Sequence, residues 1–272
     1  MNLLNVGCGA RFHPAWTNID LEPSSPAVTA HDVRFGLPYE SESFDACYSS
    51  HVLEHIPRAD VESLLREMYR VLKHGGIIRC AVPDLEDMAR TYLRVLDDLA
   101  DGRPDAEANH DWMIIEIYDQ TVRTEPGGEM SRYLRRAHGR SAEFVLSRIG
   151  EWPSTDATAD KPPLWSRIRR NGGRGLLRRG RLAAARLAVR VLAGADAQHA
   201  FEEGVFRNSG EIHRWMYDRY SLGRLLEKAG FQDVRNCEAS ESSIPNFAAY
   251  ELDSVGGRAI IPQSMFLEAI KN

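Results

Sequence analysis

The first twenty residues constrain the fold most. The apolar run Leu3-Leu4-Asn5-Val6 breaks at Gly7-Cys8-Gly9, and a second run, Thr17 to Leu21, carries the acidic residue Asp20. A short apolar run halted by glycines reads as a buried strand ending in a tight turn. The link from Ala10 to Thr17 contains Pro14 and has room for a turn of helix at most. Two more strands are expected from Ala27 to Val33 and from Phe44 to Ser49. The period then changes: Val61, Leu64, Leu65, Met68, Val71 and Leu72 recur at helical spacing, which predicts a helix capped by Asp60 and stopped by Gly75. A strand over Ile77 to Val82, halted by Pro83, leads to another helical face at Leu85, Met88, Ala89, Tyr92, Leu96 and Leu99. Strands alternating with helices in this way predict an α/β fold with a mainly parallel sheet.

Beyond residue 100 the rhythm breaks. Helical stretches near Trp112 to Val122 and Leu176 to Leu192 are separated by Gly- and Pro-containing loops. The α/β pattern returns with a helix that Ser221 can cap and Gly230 can close, then strands over Gln232 to Glu238 and Met265 to Ile270. The chain therefore divides into a core over 1–100, a mainly helical insertion over 101–210 and the completion of the core over 211–272.

A net charge of −5 argues against non-specific nucleic-acid binding by the chain as a whole. Yet from Pro162 to Ala195 there are nine arginines (167, 169, 170, 174, 178, 179, 181, 186 and 190) and no acidic residue. Helical spacing sets Arg179, Arg186 and Arg190 on one side and Leu177, Ala184, Leu187 and Val191 roughly opposite. That pattern suits a solvated face, an anionic membrane surface, a phosphate-bearing lipid-linked saccharide or an acidic partner. No run reaches the roughly 18 apolar residues of a membrane span, and Met1 leads into no signal-type segment, so a cytoplasmic location is expected. Cys8, Cys47, Cys80 and Cys237 lack the paired spacing of zinc or disulfide frameworks and read as reduced and buried.

A strand, a glycine turn and an acidic residue closing the next strand make a nucleotide-binding arrangement, with Gly7, Gly9 and Asp20 in those roles. Tight turns also use Gly-x-Gly, and the pair alone does not separate the two uses. The whole series, Leu4-Asn5-Val6-Gly7-Cys8-Gly9, Asn18-Ile19-Asp20-Leu21, His31-Asp32-Val33, Phe44 through Ile56 and Leu72-Lys73-His74-Gly75-Gly76, resembles the class I S-adenosylmethionine-dependent methyltransferases. The resemblance implies a Rossmann-like class I methyltransferase sheet with the helical segment inserted into it. Within that superfamily, Gly128-Glu129-Met130, His213-x-Trp215-Met216-Tyr217-Asp218 and Ile244-Pro245-Asn246 resemble bacterial methyltransferases of surface-polysaccharide gene clusters.

Carried over, the resemblance implies S-adenosyl-L-methionine as cofactor. Gly7 and Gly9 would lie under its methionine and ribose, Asp20 on the ribose hydroxyls, Leu21 and Val33 against adenine, Asp32 on the adenine amino group and Ser49 beside the methionine. Arg11 stands where the family has a third glycine. His51, at the end of the fourth strand, is the first choice of base for a hydroxyl acceptor, and His213 the second; either can also be a structural histidine. His51-x-x-Glu54-His55 invites a metal reading, but no fourth ligand is evident and no metal is expected. The implied activity is O-methylation of a saccharide or glycan precursor. Methylation of a peptide or another small natural product, and a non-catalytic Rossmann-like binding protein, stay open as alternatives.

Overall fold

The computed structural model describes residues 1–137, 139–150 and 164–272, with side chains at 139–140 and 164–179 left aside. The first strands are β1 (Leu3–Val6), β2 (Thr17–Asp20), β3 (Val28–Ala30) and β4 (Phe44–Ser50), followed by α1 (Arg58–Val71) and β5 (Leu72–Pro83). Five helices come next: α2 (Leu85–Ala100), α3 (Ala106–Val122), α4 (Gly128–Leu134), α5 (Gly139–Ile149) and α6 (Leu164–Arg207). Then come α7 (Arg219–Ala229), β6 (Gln232–Cys237), the short hairpin of β7 (Ser254–Val255) and β8 (Arg258–Ala259), and β9 (Ser264–Ile270). The seven-stranded sheet has the order β3-β2-β1-β4-β5-β9-β6. The first five are mutually parallel, and β9 runs antiparallel to both its neighbours. This is the Rossmann-like α/β sheet expected from the sequence, with flanking helices.

Period-two alternation along the strands sends side chains to different cores. Leu4, Val6 and Cys47 join α1 and α7 in one cluster, whereas Leu3, Ala46 and Tyr48 join Trp16, Ile244, Phe247 and Leu252 on the other face. No helix separates β1 from β2, and the link lays Trp16 edge-on to Tyr48, Phe247 and Tyr250, at ring-centroid distances of 5.9, 6.1 and 5.5 Å. A carboxy-terminal loop thus covers part of that face. A third cluster, Met88, Val95, Trp112, Met113 and Val145, joins α2, α3 and α5 into a separate helical layer. Arg148 anchors it through Glu116 (2.6 Å) and Asp87 (2.6 Å).

Several boundaries differ from the sequence expectation. α1 begins after Pro57, and Asp60 sits in its first turn, where its charge meets the positive helix end instead of capping it. The helix ends at Val71; Gly75 (φ +76°) lies within β5, where the pairing jumps from Leu72 to Ile77 and the residues between bulge out. The third strand stops at Ala30, because Asp32 caps a 3-10 turn over Val33–Phe35. Asp218 caps α7 and Ser221 is its capping-box partner. The helix expected over Leu176 to Leu192 belongs to the longer α6, which reverses at Gly194 (φ +88°). Arg186 and Glu202 approach to 3.8 Å across that reversal, where a straight helix would hold them about 24 Å apart. All four cysteines are buried and free.

Candidate active site

In a parallel sheet the ligand crevice lies outside the carboxyl ends of the strands, where the strand order reverses. Here that point falls between β1 and β4, and a cavity of about 540 Å³ opens there, lined by Gly7, Gly9, Asp20, Leu21, Asp32, Val33 and His51. Of the nine residues singled out from the sequence, seven therefore meet in one cavity. Ser49 lies buried in β4 with its hydroxyl unpartnered, and His213 is 4% exposed; neither lines the cavity. Arg167, Arg169, Arg170, Arg174, Arg178 and Arg179 lie outside the residues whose side chains are described.

The glycines serve two purposes. Gly7 (φ +68°) and Cys8 both donate to the Ile19 carbonyl, at 2.9 and 3.1 Å, and a Cβ on Gly7 would lie 2.3 Å from a Val52 methyl. Gly9 (φ +55°) faces open space, with nothing within 4 Å of where its Cβ would stand. The Asp20 carboxylate closes this turn: Oδ2 accepts from the Gly9 N–H and Oδ1 from the Glu22 N–H, both at 2.8 Å. A carboxylate has about four acceptor positions, so two remain for hydroxyls in the cavity. Asp32 is held bidentate by Arg34 (2.8 and 2.6 Å), which holds its carboxyl below the usual range. One acceptor position of its Oδ2 stays open to an amino group. Leu21, half exposed, supplies an apolar surface.

His51 occupies the left-handed region (φ +53°), which few residues other than glycine adopt and where histidine is enriched. Its N–H donates to Ala81 O (2.9 Å), and both ring nitrogens have partners: Nε2 lies 2.9 Å from Ser264 Oγ, Nδ1 3.1 Å from Glu54 Oε1. The Glu54 contact is a close polar approach, not a well-aligned hydrogen bond, and both carboxylate oxygens lack an aligned donor. Glu54 is nonetheless fully buried. Burial pushes its acidity toward the neutral form, but His51, and then the charges of His55 and His213, outweigh this and hold the pKa below the usual value. An ionised carboxylate facing Nδ1 keeps the proton on that nitrogen and leaves the Nε2 lone pair to accept a hydroxyl proton.

His55 and His213 complete the surround. His55 Nδ1 lies 3.0 Å from Ile212 O, His213 Nε2 lies 3.0 Å from the Gln120 side-chain amide, and the two rings meet edge-on at 4.9 Å. Burial lowers the His213 pKa to about 4; Glu54 opposes that shift, whereas His55, His51 and Arg123 add to it. Ligand atoms of Glu54, His55 and His213 all lie within 4.8 Å of one another, so among the described residues this trio could hold a metal ion. The sequence expectation of no metal weighed His51, Glu54 and His55 but did not bring in His213, which only the fold delivers.

Ser264 and the segment Asn208–Glu211, which also lines the cavity, were not found from the sequence. Both follow long excursions of the chain, and neither carries a local pattern. The narrower motifs prove to be structural supports. Asp119 accepts from Glu129 N–H and Met130 N–H (2.7 and 3.3 Å) to start α4, Ile244 packs in the second core cluster, and the backbone N–H groups of Arg214 and Trp215 donate to Glu54 O.

Residues 4–80 match the family model described as a methyltransferase domain. A comparison with curated proteins finds no match. Similar solved structures include the cyclase SpnF, 23% identical over 29% of this chain and 38% of that one, with a TM-score of 0.24. This chain thus spans little more than a third of the length of SpnF. A SAM-dependent methyltransferase from Thermotoga maritima, titled a possible histamine N-methyltransferase, is 13% identical over 100% of this chain and 82% of that one, with a TM-score of 0.37. A SAM dependent methyltransferase from Archaeoglobus fulgidus is 11% identical over 99% and 86%, with a TM-score of 0.38. The match to the methyltransferase-domain model spans residues 4–80.

Proposed function

On the premise of that domain, we propose that the whole chain is a S-adenosylmethionine-dependent O-methyltransferase whose acceptor is a saccharide or glycan precursor. The observation that carries the reaction type is His51 at the cavity wall with its Nδ1 3.1 Å from the fully buried Glu54 carboxylate. The acceptor class is supported only by the resemblance in Gly128-Glu129-Met130, His213 to Asp218 and Ile244-Pro245-Asn246.

The cavity fits the cofactor. Gly9 leaves the space a nucleoside needs, Asp20 offers two free acceptor positions to a ribose diol, Leu21 and Val33 provide apolar surface, and Asp32 keeps one acceptor for an amino group. When bound, S-adenosylmethionine supplies a methyl group already activated as a sulfonium, so the protein's main task is positioning. His51 Nε2 takes the acceptor hydroxyl proton, with Ser264 Oγ keeping that nitrogen's direction until the acceptor arrives. Glu54 holds the Nδ1 proton and stabilises the imidazolium that forms. Asn208–Glu211, at the end of the helical excursion, line the cavity and supply the side from which the acceptor is selected.

Two variants separate the roles. Asp20→Ala should weaken S-adenosylmethionine binding by about 1.5–3 kcal/mol in calorimetry, the range for hydrogen bonds to a charged group. His51→Ala should leave that affinity in place and lower turnover by about a hundredfold to ten-thousandfold. Incorporation of labelled methyl into a saccharide hydroxyl, read by mass spectrometry, identifies the acceptor class; label found on nitrogen or only in peptide removes it.

A further inference from the structure

We propose that the hairpin formed by α6 docks this protein onto an anionic phospholipid bilayer, whatever its acceptor proves to be. The reversal at Gly194 creates two arms that face each other across a cavity, lined by Leu182 and Ala185 on the first arm and Phe201, Gly204 and Val205 on the second, all partly buried. Among the described residues the outer side has no such partner. Leu187 is 64% exposed, Val191 73% and Leu192 85%, three apolar side chains within six residues at the tip. Leu187 and Val191 stand one helical turn apart, so with Ala184 and Ala188 they form an outward stripe. In water such a stripe should be polar.

Charge says what covers it. Arg190 and Arg181 border the stripe and both are exposed, Arg190 reaching to 3.5 Å from Gln198 Oε1 and Arg181 at the edge of the inter-arm cavity; no acidic residue occurs from Pro162 to Ala195. An apolar stripe bordered by arginines is the arrangement of an interfacial helix, whose aliphatic side sinks to the acyl boundary while the guanidinium groups reach back to the phosphates. Arg186, which faces Glu202, is already matched within the hairpin. No described helix is long and apolar enough to cross a membrane, so the contact is with the surface. The root of the second arm places the surface relative to the chemistry: Asn208 lines both the inter-arm cavity and the cofactor cavity.

The test is cosedimentation of the full chain with mixed phosphatidylglycerol–phosphatidylcholine vesicles and with phosphatidylcholine vesicles alone, at low and high salt. The parent should bind the mixed vesicles and not the neutral ones. Leu187→Ser, Val191→Ser and Leu192→Ser combined should lose binding at both salt concentrations. Arg181→Gln with Arg190→Gln should lower it roughly tenfold or more at low salt and much less at high salt. All these side chains are exposed, so circular dichroism and melting should match the parent, and a variant that fails this control is replaced by single substitutions. Equal binding to neutral vesicles, no binding to anionic ones, or full retention by the serine variant overturns the proposal. Light scattering that shows a parent dimer turned into a monomer by the serine substitutions, without lipid binding, overturns it in favour of a second copy of the chain.

Discussion

Glu54 is the residue on which the site turns. It is a carboxylate with no exposed surface, and burial, which favours its neutral form, is outweighed by the histidines around it, His51 first. His213, beside it, is buried as well. In the unfolded chain its imidazole gains a proton as the pH falls below about 6.5, whereas in the folded protein it stays neutral until about 4. The unfolded state therefore binds more protons across that window, and stability falls as the pH is lowered from about 6.5 toward 4, by up to about 3 kcal/mol, with no contribution to the slope above it. Urea unfolding midpoints across the window, compared with His213→Gln, check this: the variant should lose part of the slope, and an identical slope would assign acid sensitivity to other groups. The same cage poses the metal question. The metal-free reading expects methyl transfer to survive exhaustive chelation. Loss of activity with rescue by a divalent cation would instead make Glu54, His55 and His213 ligands.

At the scale of elements, caps and turns place the functional side chains more than the strands themselves do. The Asp218–Ser221 capping box starts α7 right after the segment that donates to Glu54 O, so the cap also locks the wall behind the histidines. Asp218→Ala should cost about 1 kcal/mol of stability in chemical denaturation, the usual loss for an N-cap, while Ser221→Ala should cost less because Asp218 keeps its bond to the Ser221 N–H. A larger loss for Ser221→Ala would mean its hydroxyl bears the cap. The strand ends behave alike: Gly7, Asp20, Asp32 and His51 each follow or close a parallel strand, which is why short local patterns sufficed to find them. Asn208–Glu211 reach the same cavity from the far end of α6, and no local period marks that return.

For the whole molecule, Arg79 is the tie between sheet and carboxy-terminal cover. Fully buried in β5, it pairs with Asp253 (2.7 Å) and Glu268 (2.9 Å), donates to three carbonyls between Glu238 and Glu241, and lies over the Phe247 and Phe266 rings. Burial alone would ease the proton off this guanidinium; the two carboxylates outweigh it and raise its pKa. Removing one partner of such a network strands the other charges in the interior, so Arg79→Ala should destabilise the chain by about 3–5 kcal/mol. Thermal and urea unfolding of that variant should show one early transition for the whole chain. Loss confined to the carboxy-terminal loop would mean the cover folds independently.

What the sequence by itself determined about this protein is what is written within a few residues: strand ends, the glycine turn, Asp20, Asp32 and His51, and the Rossmann-like order of elements. Those signals are local because backbone conformation and side-chain alternation obey short periods. Only the tertiary structure decided that His213 and Ser264 meet His51 and Glu54, that Trp16 packs against Tyr48, Phe247 and Tyr250, and that α6 turns back at Gly194. Each of these depends on partners about 16 to more than 200 positions apart along the chain, and the histidines gathered around Glu54 and the exposure of Leu187 exist only once the chain has closed on itself.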